Sequence, residues 1–240
     1  KHRVKTADEL ITLREELRTR VDGIGSLSEQ IAAVEKEEGT TQIVVLDMAK
    51  SLSRARIAAV KPLANKVETI LQDLGMPHAV FQFEHRTGAP GPQGIDSVRA
   101  VFSANKDRAP APLDKVASGG ELSRVMLALI SLAAHSQDLP TVIFDEIDTG
   151  VSGEVADRVG SLMARMGKER QVLAITHLPQ IASKANTHLV VSKEQGEESA
   201  TTSIRAVTAE ERVEALAQML SGRKLTKAAV ENARVLLKGI

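Results

Sequence analysis

Cysteine, tryptophan and tyrosine are absent from these 240 residues, and phenylalanine occurs only four times. Without cysteine, disulfides and thiolate metal sites are excluded, and a reducing cytoplasm fits. With so few rings, stacking the bases of a single strand on an aromatic platform is not an available binding mode. A net charge is missing too: 31 basic and 31 acidic residues cancel. No global field draws the chain to nucleic acid or a membrane surface, so any such contact needs a local patch. The longest nearly unbroken apolar stretch, residues 125–134, is too short for a bilayer, which needs about 20 residues. The N-terminus, KHRVKTADEL, lacks the apolar segment of a secretory signal. It starts with Lys, so the sequence reads as a fragment or a processed chain.

What is present falls into two unlike parts. Over residues 1–75 apolar positions recur in steps of three and four: Leu10, Leu13, Leu17, Val21, Ile24, Leu27, Ile31, Val34, then Val45, Ala49, Leu52, Ala59, Leu63, Val67, Ile70 and Leu74. That spacing holds one narrow seam on one side of a helix. A narrow seam cannot enclose a core of its own, so it needs a partner helix, as in a coiled coil. A helical hairpin packed on a globular domain is the alternative. Breaks or kinks are expected at GIGS (23–26), at EEGTTQ (37–42) and at Pro62, which removes a backbone donor.

From residue 76 onward the pattern changes. Alternation predicts a strand over 79–84, TGAPGPQG a loop, and IDSVRAVFSAN a second strand. Further on, helices (119–135, 153–166, 178–184) alternate with apolar strands (141–145, 171–176, 188–193), which predicts an α/β fold with a parallel sheet. TTSIRAV adds an edge strand, and two helices close the chain, the first opened by a capping box of Thr208 and Glu211.

Three short stretches carry chemistry. In Ser118-Gly119-Gly120-Glu121 the Ser and Glu suit a capping box, which leaves the glycines unexplained. A helix start with free amides, a hydroxyl and no side chains in the way suits an anion, phosphate above all. In TVIFDEIDTGVSG an apolar strand ends in Asp145 and Glu146. The carboxyl ends of parallel strands line the ligand crevice. There one carboxylate can hold Mg²⁺ and the other can orient or deprotonate a water; a solvated acidic turn is the plain alternative. In QVLAITHLPQIA a second apolar strand ends at Thr176 and His177, a histidine that is structural unless it shares that crevice.

The succession of these stretches resembles the C-terminal half of an ABC-type ATPase head. The wording KVASGGELSR, IFDEIDTGVSG, THLPQIA and VSKE is similar to the RecN family of bacterial SMC-like proteins of DNA double-strand-break repair and recombination. The resemblance covers nearly the whole chain and implies an ATP- and Mg²⁺-dependent ATPase. Residues 1–75 would be the returning half of an antiparallel coiled-coil arm, and 76–240 the C-terminal lobe of the head. Ser118, Gly119, Gly120 and Glu121 would be the signature, gripping the γ-phosphate of ATP held by the opposite head. Asp145 would be the Walker B ligand of Mg²⁺, Glu146 would position the hydrolytic water, and His177 would be the switch histidine. Asp148, Thr149, Gly150, Val151 and Ser152 would form the D-loop at the dimer interface. Ser152 stands where ABC proteins commonly place Asp, a departure from the pattern.

No G-x-x-x-x-G-K-[ST] motif occurs. The lookalike GSLMARMGK has six residues between its glycines and falls in a helix, so it is not a phosphate loop. The phosphate-loop lobe is therefore expected on another segment, and this chain is expected to be inactive alone. The implied partners are DNA, a second head in a homodimer, and that missing lobe, in the nucleoid-associated cytoplasm. For DNA there is no dense basic run, only loop cations such as Lys106, Arg108 and Lys115. A non-catalytic coiled-coil tethering module and a transporter ATPase subunit are the competing readings; the long coil before the signature argues against the transporter.

Overall fold

The computed structural model describes residues 4–116, 118–136, 139–195, 200–222 and 224–239. Helix α1 (Ala7–Asp73) is continuous for 67 residues, about 100 Å. The expected interruptions do not break it. Gly23, Gly25 and Gly39 stand in open space, and each costs only about 1 kcal/mol of helix propensity. Pro62 deprives the Ala58 carbonyl of its hydrogen bond. Both residues are exposed, so solvent can satisfy that carbonyl.

The expected loop TGAPGPQG is also mostly strand. Strand β1 (Val80–Gly91) runs through it and β2 (Gly94–Ser103) returns, leaving Pro92 and Gln93 between them. A two-residue connection is the commonest hairpin turn, and Gly94 supplies a positive φ beside it. Strand β3 (Ala111–Pro112) joins β2 antiparallel, completing the order β1-β2-β3.

Contacts divide the chain into two compact units: Lys1–Ala58 with His85–Ser97, and Ala59–Glu84 with Val98–Ile240. In the first, Asp96 ties the hairpin to α1. Its side chain is shielded from solvent; it accepts from Ser53 Oγ (2.7 Å) and Arg56 (3.2 Å) and meets His85 Nε2 at 2.7 Å. The Ser53 hydroxyl, with His85 and Arg56, holds the Asp96 carboxyl below its usual range against the opposing effect of burial. A lowered folded-state pKa stabilises above the unfolded value, about 3.9, and that stability is lost as pH falls through the folded value. The protection factors of the hairpin amides, exchange rates corrected for the intrinsic pH dependence, are therefore expected to fall in acid below about pH 4, and Asp96→Asn is expected to remove this acid dependence.

The second unit is built around helix α2 (Gly119–Ser136). One side of α2 packs Val125 and Ala128 against Val67, Leu71, Phe81 and Phe102. The other packs Leu127 and Ala134 against Phe144, Val159, Leu162 and Met163. A helix between two cores needs apolar residues on more than one side, which is why polar residues are few along it. Strands β4 (Thr141–Asp145) and β5 (Gln171–Ile175) pair in parallel, with α3 (Gly153–Met166) between them in sequence. Helix α4 (Pro179–Ala182) follows. The sequence predicts a third parallel strand at 188–193; instead β6 (Leu189–Gln195) pairs antiparallel with β7 (Ala200–Ala206) in a separate two-stranded sheet. A hairpin between neighbouring segments closes a shorter loop than a crossover does. Helices α5 (Ala209–Ser221) and α6 (Lys227–Lys238) end the chain, α5 opened by the Thr208–Glu211 capping box.

Strands β4 and β5 are apolar, yet one face of the pair is bare. Ile143, Leu173 and Ile175 are 63%, 41% and 56% exposed. The register sets Ile143 beside Leu173, and alternation brings Ile175 to the same side.

Candidate functional site

The two parallel strands end at one edge. Asp145 lies beside Ile175 in the register, and the Glu146 amide donates to the Ile175 carbonyl at 3.2 Å. The turns DEIDTG and THLP therefore run side by side. Asp145 and Glu146 are both exposed. Glu146 has φ 48° and is the only non-glycine residue with positive φ among the described residues. Such a conformation costs a residue with a side chain about 1–3 kcal/mol. It is held by Thr149, whose amide (3.3 Å) and hydroxyl (2.8 Å) both donate to the Glu146 carbonyl.

Asp148 turns inward and is 1% exposed. The Thr176 hydroxyl donates to its Oδ2 and accepts from the Leu178 amide at 3.0 Å. His177, with its side chain 72% exposed, places Nδ1 3.7 Å from the same Oδ2. The other carboxylate oxygen, Oδ1, is buried without a hydrogen-bond partner; an unpaired buried acceptor costs about 1–3 kcal/mol.

The start of α2 meets these turns. Of the expected Ser118–Glu121 capping box, one bond is seen among the described residues: the Glu121 amide reaches Ser118 Oγ at 3.5 Å. The first intrahelical bond runs from the Leu122 amide to the Ser118 carbonyl, so the amides of Gly119 and Gly120 precede it and have no intrahelical acceptor. The two glycines answer different needs. A Cβ at Gly120 would lie 3.2 Å from the Gly150 carbonyl oxygen and 3.3 Å from that of Thr149, whereas one at Gly119 would meet nothing within 4 Å. Gly150, at φ 79°, presents its own backbone to Gly120. Gly120 is thus small because the turn after β4 packs on it, and Gly119 leaves the helix start open. Gly120→Val is expected to destabilise by about 1–3 kcal/mol through overpacking. Gly119→Ala is expected to be neutral or to stabilise by up to about 1 kcal/mol. Denaturant melts of the two variants check this; equal effects would contradict the asymmetry.

Of the remaining sequence-derived site residues, Thr149 and Ser152 are exposed and Val151 is buried. Ser152 stands at the N-cap of α3 without a side-chain capping bond. The lookalike glycine Gly160 faces α4, where a Cβ would come within 3.1 Å of the Ile181 Cα; it serves helix packing. Among the described residues no group of three or more His, Cys, Asp or Glu side chains is arranged to hold a metal. Asp145, with Glu146 beside it, would therefore hold a metal only with ligands from elsewhere. That suits Mg²⁺, which takes one or two carboxylates plus waters and phosphate oxygens.

Sequence reasoning missed two residues here. Arg124 donates from Nε to the Gly120 carbonyl (3.1 Å) and from Nη1 to the Leu74 carbonyl (3.2 Å), tying the start of α2 to the end of α1. Burial lowers its pKa and Glu121 opposes that. A lone cation four residues beyond Gly120 in an apolar helix was the available signal. Thr176 was passed over as the end of a strand.

No family model matches the chain. Among solved structures, the Smc head domain with coiled coil and joint from Pyrococcus yayanosii aligns with TM-score 0.59 at 17% identity, covering 89% of this chain and 38% of that one. An SMC ATPase from a study of ATP-driven dimerisation and DNA-stimulated activation aligns with TM-score 0.51 at 15% identity, covering 72% of this chain and 99% of that one. The fold is the α/β fold of an SMC-type ATPase head preceded by a long arm-like helix. In sequence, the chain is 39% identical over 236 residues to the DNA repair protein RecN of Deinococcus radiodurans, covering 98% of this chain and 39% of that protein. It is 41% identical over 191 residues to RecN of Rickettsia conorii, covering 80% and 35%. The chain belongs to the RecN family of SMC-like DNA repair proteins, and it spans about two fifths of the length of these curated relatives.

Proposed function

We propose that residues 76–240 are the C-terminal lobe of an ATPase head and residues 1–75 the returning half of a coiled-coil arm. The complete protein then tethers DNA at double-strand breaks by ATP-dependent engagement of two heads. The observation that carries this reading is the meeting, at one end of the second unit, of the open α2 start, the Asp145–Glu146 turn and the His177 turn. Asp145 would hold Mg²⁺, which supplies charge neutralisation at the phosphates. Glu146 orients the attacking water and takes its proton, and His177 faces the γ-phosphate. Ser118 and the amides of Gly119 and Gly120 cap the γ-phosphate of a nucleotide bound by the opposite head, with Glu121 completing the signature. Thr149, Gly150, Val151 and Ser152 lie at the interface between heads. Hydrolysis removes the γ-phosphate contacts and shifts the population toward separated heads.

Two bare surfaces support an incomplete head. The face of Ile143, Leu173 and Ile175 is what a further lobe would cover. The seam residues Leu10, Leu17, Val21, Ile24, Leu27, Ile31 and Val34 on α1 are exposed, as the unpaired half of a coiled coil would be. The name of the relatives, DNA repair protein RecN, points to DNA as partner; contact with its phosphates would be salt-dependent. Among the described residues no helix is long and apolar enough to cross a membrane; the nucleoid-associated cytoplasmic location is proposed from the family alone.

The exposed seam also suits a second reading, a tethering module without chemistry. One experiment separates them. This chain alone is expected to turn over ATP at background rate, and adding the segment that carries the phosphate loop is expected to restore turnover. Tight nucleotide binding by the chain alone overturns the shared-site reading, and no turnover after reassembly favours the tether.

A further inference from the structure

A buried carboxylate beside an exposed imidazole is the feature of this site that the assignments above leave unused. Asp148 was grouped by sequence with residues facing a partner, yet its side chain points into its own unit, 1% exposed. Three observations set its orientation. The Thr176 hydroxyl donates to Oδ2. The Leu178 amide donates in turn to that hydroxyl at 3.0 Å, which orients it. The Val151 amide donates to the Asp148 carbonyl at 3.2 Å, which closes the turn. The carboxylate is thus fixed from both turns, while Oδ1 keeps unused acceptor capacity in a place without solvent. His177 Nδ1 is 3.7 Å from Oδ2, about 0.8 Å beyond an ordinary N–H···O bond. The ring is exposed enough to close that distance by a side-chain rotation. Such bonds are often long without substrate and tighten when it binds.

We propose that Asp148 is a positioning residue for His177: it accepts the Nδ1–H of the imidazole and so leaves Nε2 facing the open end of β4 and β5. A neutral imidazole carries one proton, and the partner of one nitrogen decides what the other presents. Because Asp148 belongs to the turn after β4 and Thr176 to the turn after β5, the same carboxylate also locks the Glu146 turn to the histidine turn. The proposal rests on the reading of His177 as the residue that faces the γ-phosphate, but its test does not.

The test uses the ¹⁵N-labelled 240-residue chain. Long-range ¹H–¹⁵N spectra at a pH where the ring is neutral report which nitrogen carries the proton, and loss of the signal in His177→Gln assigns it. The expected result is a His177 ring protonated at Nδ1, with Asp148→Ala shifting the population toward Nε2–H. Should Asp148→Ala lose its helical circular dichroism, Asp148→Asn carries the comparison, with a smaller shift in the same direction. A wild-type ring protonated at Nε2, or populations unchanged in a folded variant, overturns the proposal. In the complete protein, Asp148→Ala is expected to lower kcat by roughly tenfold or more, with KM changed much less. A tautomer shift without a fall in kcat upholds the positioning by Asp148 and instead refutes the phosphate-facing role of His177.

Discussion

Glu146→Gln in the complete protein is expected to leave ATP binding intact and to cut turnover by about 10²–10⁴-fold, the range for removing a general base. The substitution keeps the size and reach of the side chain and removes its capacity to take a proton. Glu146 is exposed at the end of β4, so no core contact is lost. Its backbone is held by bonds that do not involve the side chain: the amide to Ile175 and the carbonyl to Thr149. Nucleotide-dependent head engagement should therefore persist, and ATP should accumulate in the stalled complex. Equilibrium binding and steady-state turnover measured on the same preparation check this. Normal turnover would remove Glu146 from the mechanism.

The second large effect is expected from Ile143→Lys combined with Ile175→Lys. Both side chains lie on the bare face of β4–β5. In this chain alone the new charges point into water, and the fold should be kept, with less self-association because an exposed apolar strand face is an aggregation hazard. In the complete protein the same face is proposed to lie under the missing lobe. Burying two unpaired ammonium groups there costs several kcal/mol each, enough to separate the lobes. Copurification of the two segments and ATP turnover should both be lost. If the double variant assembles and hydrolyses ATP normally, that face is not where the lobe docks.

The positions of the helices and strands from residue 119 onward are legible in the sequence because apolar spacing and turn residues agree there. The pairing of β6 is not: the pattern sets it in the parallel sheet and it pairs antiparallel with β7. The strand ending in Asp145 and the Thr208–Glu211 cap are observed where the pattern sets them. Three more things were not legible, each for a physical reason. The continuity of α1 escaped because Gly and Pro signal a break only when the surroundings cannot absorb the lost bond; here the positions are open to solvent. The hairpin escaped because Pro90 and its glycines outweigh strand propensity locally, while pairing with a neighbouring strand reverses that balance. The bare face of β5 escaped because an apolar run says that a strand wants cover, not which segment supplies it. At the site, residue types pointed to Asp145, Glu146 and His177. They could not separate the packing glycine Gly120 from the open Gly119, nor turn Asp148 inward, because those distinctions depend on contacts between turns distant in sequence.

The left-handed backbone at Glu146 sets folding against the chemistry proposed for its side chain. Glycine adopts that conformation without steric penalty, so Glu146→Gly is the replacement that stability alone would choose, and it deletes the carboxylate. Selection for heat resistance without a catalytic readout would drift toward glycine at this position. Variants of this segment enriched for robust expression should be sequenced at codon 146 before their silence is blamed on anything else.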